Sequence, residues 1–213
     1  MLKRVLILFF LSYSLFLNAQ KPFDPTTHIG IHGGVNFSAV RFTPSVNQDL
    51  LPSTAFGIFF RHVSEPNIGL QVEANYAGKG WRESIDSVGT YTRKIQTYDF
   101  PVMAAFIAGK RTLRFAFTIG PYLSYRKSNE EIIDIADTAD FRAHYLQPIP
   151  RKWEFGFIGG VAVEIYTKIG GFAVRASYSH SISNLFPLND EVYLYRQSRS
   201  YVIHAGVMYF ISF

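Results

Sequence analysis

Polar and apolar residues alternate with a period of two along most of this chain, and eight stretches keep the alternation long enough to be strands. The clearest is Arg199–Phe213. Tyr201, Ile203, Ala205, Val207, Tyr209, Ile211 and Phe213 share one face there, while Ser200, His204, Gly206 and Ser212 share the other with Val202, Met208 and Phe210. The other seven are His28–Ser38, Thr54–His62, Asn67–Lys79, Tyr91–Ile107, Leu113–Lys127, Lys152–Tyr166 and Phe172–Ser181. Successive connections alternate in length. Those over 39–53, 80–90, 128–151 and 182–198 are long, and the three between them are short. The short ones carry turn formers: Pro66-Asn67, Gly109-Lys110 and Gly170-Gly171.

The two faces differ in charge. One is nearly uncharged in all eight segments. The other holds Arg61, Glu73, Asp99, Arg114, Glu154, Glu164, Arg175 and His204. A continuous uncharged face belongs against hydrocarbon, because a lipid-facing Arg or Lys at the bilayer midplane costs roughly 2–4 kcal/mol. Aromatics gather at segment ends: Phe37, Tyr76, Trp81, Tyr125, Trp153 and Tyr201 toward the long connections, and Phe60, Phe106, Phe115, Tyr166, Phe172 and Tyr209 toward the short ones. Two such groups predict interfacial girdles. The expected fold is all-β: an eight-stranded antiparallel transmembrane β-barrel, up-and-down, with long extracellular loops and short periplasmic turns.

The N-terminus sharpens the location. Lys3 and Arg4 precede the apolar run Val5–Leu17, and Asn18-Ala19 precedes Gln20. This predicts a signal peptide over 1–19 and a barrel domain over 20–213. After Leu17 no apolar run approaches the ~20 residues of a membrane helix. The full chain carries a formal charge of +5, reduced further by loss of Lys3 and Arg4, which is too weak and scattered to predict nucleic-acid binding. The absence of Cys excludes disulfides, thiolate metal sites and Cys nucleophiles.

Four stretches carry a family resemblance. They are H-I-G-I-H-G-G-V-N-F-S from His28, G-L-Q-V-E-A-N-Y-A-G-K-G from Gly69, Y-D-F-P-V from Tyr98 and G-P-Y-L-S-Y from Gly120. Together they resemble the PorT-type outer-membrane β-barrel family of Bacteroidetes, with Phe100 standing where Ile is usual. The resemblance spans nearly the whole of 20–213. It implies the barrel fold, export and outer-membrane lipid as surroundings. The last strand, with Tyr209 and the terminal Phe213, likewise resembles the barrel-closing strand that the barrel-assembly machinery recognises. The family's namesake takes part in type IX secretion.

Residues suited to chemistry are sparse. His28, His32 and His204 gather on two strands that a closed barrel would pair, but no carboxylate or Cys stands at metal-ligand spacing, so no metal is expected. No G-x-S-x-G context surrounds a serine, and no catalytic residue or cofactor is expected. Glu164 and Arg175 share the inward face of strands joined by a short turn, which predicts an interior ion pair between them. The connection after the fifth strand carries an acidic run, Glu130, Glu131, Asp134, Asp137 and Asp140, with Ile132, Ile133 and Ile135 set to pack on the rim or meet a partner. The expected function is non-enzymatic: a barrel presenting loops in a structural or interaction role, accessory to envelope or type IX secretion machinery, with an envelope protein as partner. The alternatives are an outer-membrane enzyme acting on lipid or peptide, and a narrow small-solute channel.

Overall fold

The computed structural model describes residues 23–85, 89–110, 112–135, 145, 147–186 and 197–213. The expected signal peptide, 1–19, lies outside these residues. Eight strands follow one another: β1 (Thr26–Thr43), β2 (Leu51–Glu65), β3 (Ile68–Ile85), β4 (Gly89–Lys110), β5 (Leu113–Ile135), β6 (Trp153–Thr167), β7 (Gly170–Ser181) and β8 (Gln197–Ser212). Each pairs antiparallel with the next, and β8 pairs with β1. Closure gives each strand a partner on both sides within the barrel, which lets strands cross a medium that offers backbone groups no hydrogen bonds. Beyond Ser212 the ring continues one residue further: Phe213 N donates to Thr27 O at 2.9 Å, and Thr27 N to Phe213 O at 3.1 Å.

The alternation read from the sequence is the burial pattern of the barrel. Along β8, His204, Met208 and Phe210 are buried, while Ile203, Val207 and Ile211 are exposed. The same holds on β1, where His28, His32 and Asn36 face inward and Ile29, Ile31 and Val35 outward. Apolar side chains on the outer face of a closed sheet need hydrocarbon around them.

The short connections are tighter than expected. Pro66-Asn67 is the whole link between β2 and β3, as its residues imply. At the other two, the glycines flank the turn rather than form its tip. Gly109 (φ +126°) lies in the end of β4, and Gly170 (φ +135°) opens β7 after Lys168-Ile169. A side chain at Gly170 would be strained in φ, and its Cβ would fall 2.8 Å from Phe210 O. Thr167 Oγ1 donates to Gly170 O at 2.7 Å and fixes this turn.

The long connections differ more. β4 and β5 contain 22 and 23 residues, about twice what a tilted strand needs to cross a bilayer. Residues 80–85 and 128–135, expected to be loops, are therefore strand. Gly89–Gln96 of β4 pairs with Ile135–Ser128 of β5, and its other edge pairs with Gly78–Ile85 of β3. β3, β4 and β5 rise together as a wall above the barrel mouth. The extension follows from charge: Arg93 lies opposite Glu131 and Lys94 opposite Glu130, so the acidic run finds cross-strand partners instead of remaining a solvated loop. Asp137 and Asp140 lie outside the described residues.

Candidate functional site

The interior is too narrow for an open bore, and its side chains meet across it. The strands place buried ionic groups at successive heights. Nearest the short turns, Arg61 Nη1 donates to Glu164 Oε1 at 2.6 Å, and Arg61 Nε to Gln71 Oε1 at 2.6 Å. Gln71 Nε2 donates to Glu73 Oε1 at 2.6 Å, which links this pair to the next, Arg175 Nη1 to Glu73 Oε1 at 2.9 Å. Above them Lys79 Nζ donates to Glu154 Oε1 at 2.8 Å, and the Ser200 and Tyr122 hydroxyls donate to the same oxygen. Ser124 Oγ donates to Asp99. Each buried charge meets an opposite charge or several dipoles, the condition for keeping it in a low-dielectric interior.

The expected ion pair between Glu164 and Arg175 is corrected here. Both residues are inward and buried, as predicted, but each pairs elsewhere: Glu164 with Arg61 of β2, and Arg175 with Glu73 of β3. The register explains it. Glu164 stands opposite Ala173, and Arg175 opposite Ala162, so the two are offset along the barrel. Long side chains on inward faces then reach across the lumen rather than along the β6–β7 hairpin. Arg114, also inward by parity, stacks over the Tyr166 ring at 4.4 Å.

The histidines belong to this polar interior. Asn75 Nδ2 donates to Glu73 Oε2 at 3.0 Å, which leaves Asn75 Oδ1 to accept from His32 Nε2 at 2.8 Å. Asn36 Nδ2 donates to Gly78 O at 2.9 Å, so its Oδ1 accepts from His204 Nδ1 at 2.8 Å. Both rings are thereby oriented by amide side chains. They line a polar cavity of about 60 Å³ at the waist, together with Lys79, Asp99 and Arg175. His28 Nδ1 lies 2.7 Å from Ser212 Oγ, lower in the barrel. Among the described residues, no group of three or more His, Cys, Asp or Glu is arranged to hold a metal.

The mouth at the long-connection end is closed differently. Trp81, Tyr91, Phe42, Phe186, Tyr145 and Ile149 form a buried aromatic and aliphatic cap. Tyr91 stacks on Tyr145 with ring centroids 4.0 Å apart. Arg93 lies beneath Trp81 and Phe186, at 5.8 and 5.9 Å from their ring centres, and pairs with Glu131 at 2.8 Å. Ile133 and Ile135 pack against the cap, which realises their expected contact with the rim; Ile132 is exposed.

Two aromatics expected in the girdles are inside instead. Trp81 is fully buried in the cap, and Tyr166 donates to Glu164 Oε2 at 3.0 Å. Their parity was informative: Trp81 is in step with Lys79, and Tyr166 with Glu164. Arg93, missing from the expected inward charges, is in step with Asp99 on its own strand, as Lys79 is with Glu73. Tyr209 faces outward, packs on Phe172 at 5.1 Å and donates to Ile169 O at 2.7 Å. Phe213 is exposed just past the end of β8.

No curated protein matches the sequence. Solved structures of similar outline include the outer membrane protein OprG from Pseudomonas aeruginosa, 11% identical with a TM-score of 0.48, covering 91% of this chain and 97% of that one. Ail, the attachment invasion locus protein of Yersinia pestis, crystallised with the heparin analogue sucrose octasulfate, is 12% identical with a TM-score of 0.44, covering 87% and 99%. The outer membrane protease OmpT from Escherichia coli is 8% identical with a TM-score of 0.35, covering 90% and 98%. At such identities none of these likenesses transfers a function. Residues 18–187 match the family described as outer membrane protein beta-barrel domain. With that match over most of a chain whose ring of eight strands is apolar outside and charge-paired inside, this protein belongs to the outer membrane protein beta-barrel domain family and resides in the outer membrane.

Proposed function

We propose that this protein is a non-enzymatic, non-conducting barrel whose work is done by the rim at its long-connection end, in a structural or interaction role within the cell envelope. The observation that carries this reading is the filled interior. Ion pairs cross the lumen at three heights, the waist cavity of about 60 Å³ has room for a few waters, and the aromatic cap covers the mouth. Meanwhile β3, β4 and β5 extend well beyond the apolar band, which supports a raised surface offered to a partner. In this reading the raised wall is extracellular and the short turns periplasmic. The motifs from His28, Gly69, Tyr98 and Gly120 support a place in the PorT-type branch of Bacteroidetes barrels, with an accessory part in type IX secretion or envelope assembly. Tyr209 and Phe213 then form the strand that the assembly machinery reads, after export through a cleaved signal peptide.

The test is affinity capture from intact outer membranes with an epitope inserted after Asp137, paired with antibody access on whole cells. A reproducible envelope or secretion partner, with the epitope reached from outside, supports the proposal. Stepwise ion conductance of the purified wild-type barrel in planar bilayers would overturn its non-conducting part.

A further inference from the structure

The outward face just above the apolar band contains two arginines that the fold places side by side. Arg41 on β1 is directly opposite Arg199 on β8. Directly opposed residues of an antiparallel pair share a face with Cβ atoms roughly 5 Å apart, and like charges there repel. The outward parity of β1 and β8 shows which face this is: Arg41 is in step with Ile31 and Phe37, and Arg199 with Tyr201 and Ile203. Neither arginine has a carboxylate partner among the described residues, and Arg199 Nε is buried without a hydrogen-bond partner. The interior shows the opposite practice, with its buried arginines Arg61 and Arg175 held by carboxylates.

A recess adjoins the pair on the Arg41 side. Arg41, Tyr178, His180 and Tyr201 line an open recess of about 550 Å³. Its far wall is the segment after β1, tied down where Gln48 Oε1 accepts from Val40 N at 3.1 Å and Gln48 Nε2 donates to Val40 O at 2.7 Å. Tyr178 and His180 lie parallel, 9° between their planes, and Tyr178 packs beside Tyr201. His180 Nδ1 is a second buried nitrogen without a partner. Tyr201 sits opposite Ala39, two residues below the arginine level, a height difference of roughly 5 Å for a tilted strand. Tyrosine rings mark the boundary between hydrocarbon and headgroups. The arginines therefore stand at headgroup depth.

We infer that Arg41 and Arg199, with Tyr178, His180 and Tyr201 beside them, form a binding site on the lipid-facing rim for the phosphate of an anionic lipid headgroup. A phosphate between the two guanidiniums replaces their repulsion with charge-assisted hydrogen bonds, a geometry that arginine forks suit better than lysine. The tyrosine faces would carry the glycerol or sugar adjoining the phosphate, and the acyl chains would run down the outward apolar residues Phe37 and Ile203.

The experiment uses the full exported chain in lipid nanodiscs containing phosphatidylcholine with a minor fraction of phosphatidic acid, and counts retained lipids by native mass spectrometry. The wild type should retain phosphatidic acid selectively. Arg41→Gln/Arg199→Gln should weaken retention about tenfold or more, as loss of charge-assisted hydrogen bonds implies. Lys168→Gln, on the turn at the other end, should not. Phosphatidic acid should also raise the unfolding temperature of the wild type in detergent and leave that of the double variant unchanged. Because relief of repulsion should not harm folding, the unheated gel shift of the double variant should match the wild type; Arg41→Gln alone, at the exposed position, should give an intermediate loss. Equal retention by wild type and double variant would overturn the site. Inorganic phosphate that raises the wild-type unfolding temperature as strongly as phosphatidic acid, and displaces it, would overturn the lipid as the source of the phosphate.

Discussion

Between the short turns and the waist the barrel interior is held by ion pairs, whereas the mouth at the other end is filled with rings. Arg61, Glu164, Glu73 and Arg175 are each fixed by a partner on another strand of the same closed ring. The cap draws on β1, β3 and β4 but also on Tyr145, Ile149, Leu185 and Phe186 from the connections. These connection residues are held by polar contacts such as Arg126 Nη2 donating to Ile149 O at 2.6 Å and Phe186 N donating to Ser198 Oγ at 3.0 Å. The lower section therefore specifies how eight strands fit together. The cap is a second layer over the mouth of the ring. The difference teaches where each kind of interaction suits a barrel: charges specify a unique mutual position in a narrow lumen, and rings cover irregular backbone at a mouth.

The sharpest way to break the lower section is Glu164→Ala. It strands Arg61 in the lumen and should cost roughly 3–5 kcal/mol. Guanidinium unfolding in detergent would measure it, and Arg61→Ala/Glu164→Ala should recover part of the loss. The Glu164 and Arg175 effects should couple far less than those of Glu164 and Arg61. Simple additivity of Arg61 with Glu164 would contradict the observed pairing.

The cap should break locally. Trp81→Ala removes the largest fully buried side chain there and should cost about 3 kcal/mol of packing. The expected signature is faster hydrogen exchange at the Phe42, Tyr91 and Phe186 amides, with the amides of Ile29 and Ile211 unchanged. Equal acceleration at both ends would mean that cap and ring unfold as one unit.

A third change sharpens the comparison. Arg93–Glu131 lies at the boundary, with the Glu131 side chain 16% exposed. Glu131→Gln should cost about 1 kcal/mol or less, and the cost should shrink in high salt. The Arg61–Glu164 coupling, deep in the lumen, should hold under the same salt. Two pairs of the same chemistry would then differ only by depth.

How much of this was legible before folding depends on the element. The outward face could be read residue by residue, because strand parity is strictly two and lipid tolerates no charge. Trp81 and Tyr166 were legible by the same rule, since both share parity with charged inward residues. The upper ends of β3 and β5, beyond Lys79 and Lys127, were not. The acidic run reads as a solvated loop until Arg93 and Lys94 are seen across from it. The rim arginines are a further case: Arg41 and Arg199 are far apart in the chain, and only the β1–β8 pairing that closes the barrel makes them neighbours.

By itself the sequence determined the number of strands, their order, which face meets lipid and most of the charges that line the lumen. These depend on local alternation and on the lengths of connections, both written along the chain. Tertiary structure alone decided which charge pairs with which. Inward parity puts Glu164 and Arg175 on neighbouring strands, but stagger offsets them, and the narrow bore brings Arg61 and Glu73 closer to each than they are to one another. In a closed ring the partner of a long side chain is set by barrel radius and shear, quantities that belong to all eight strands at once.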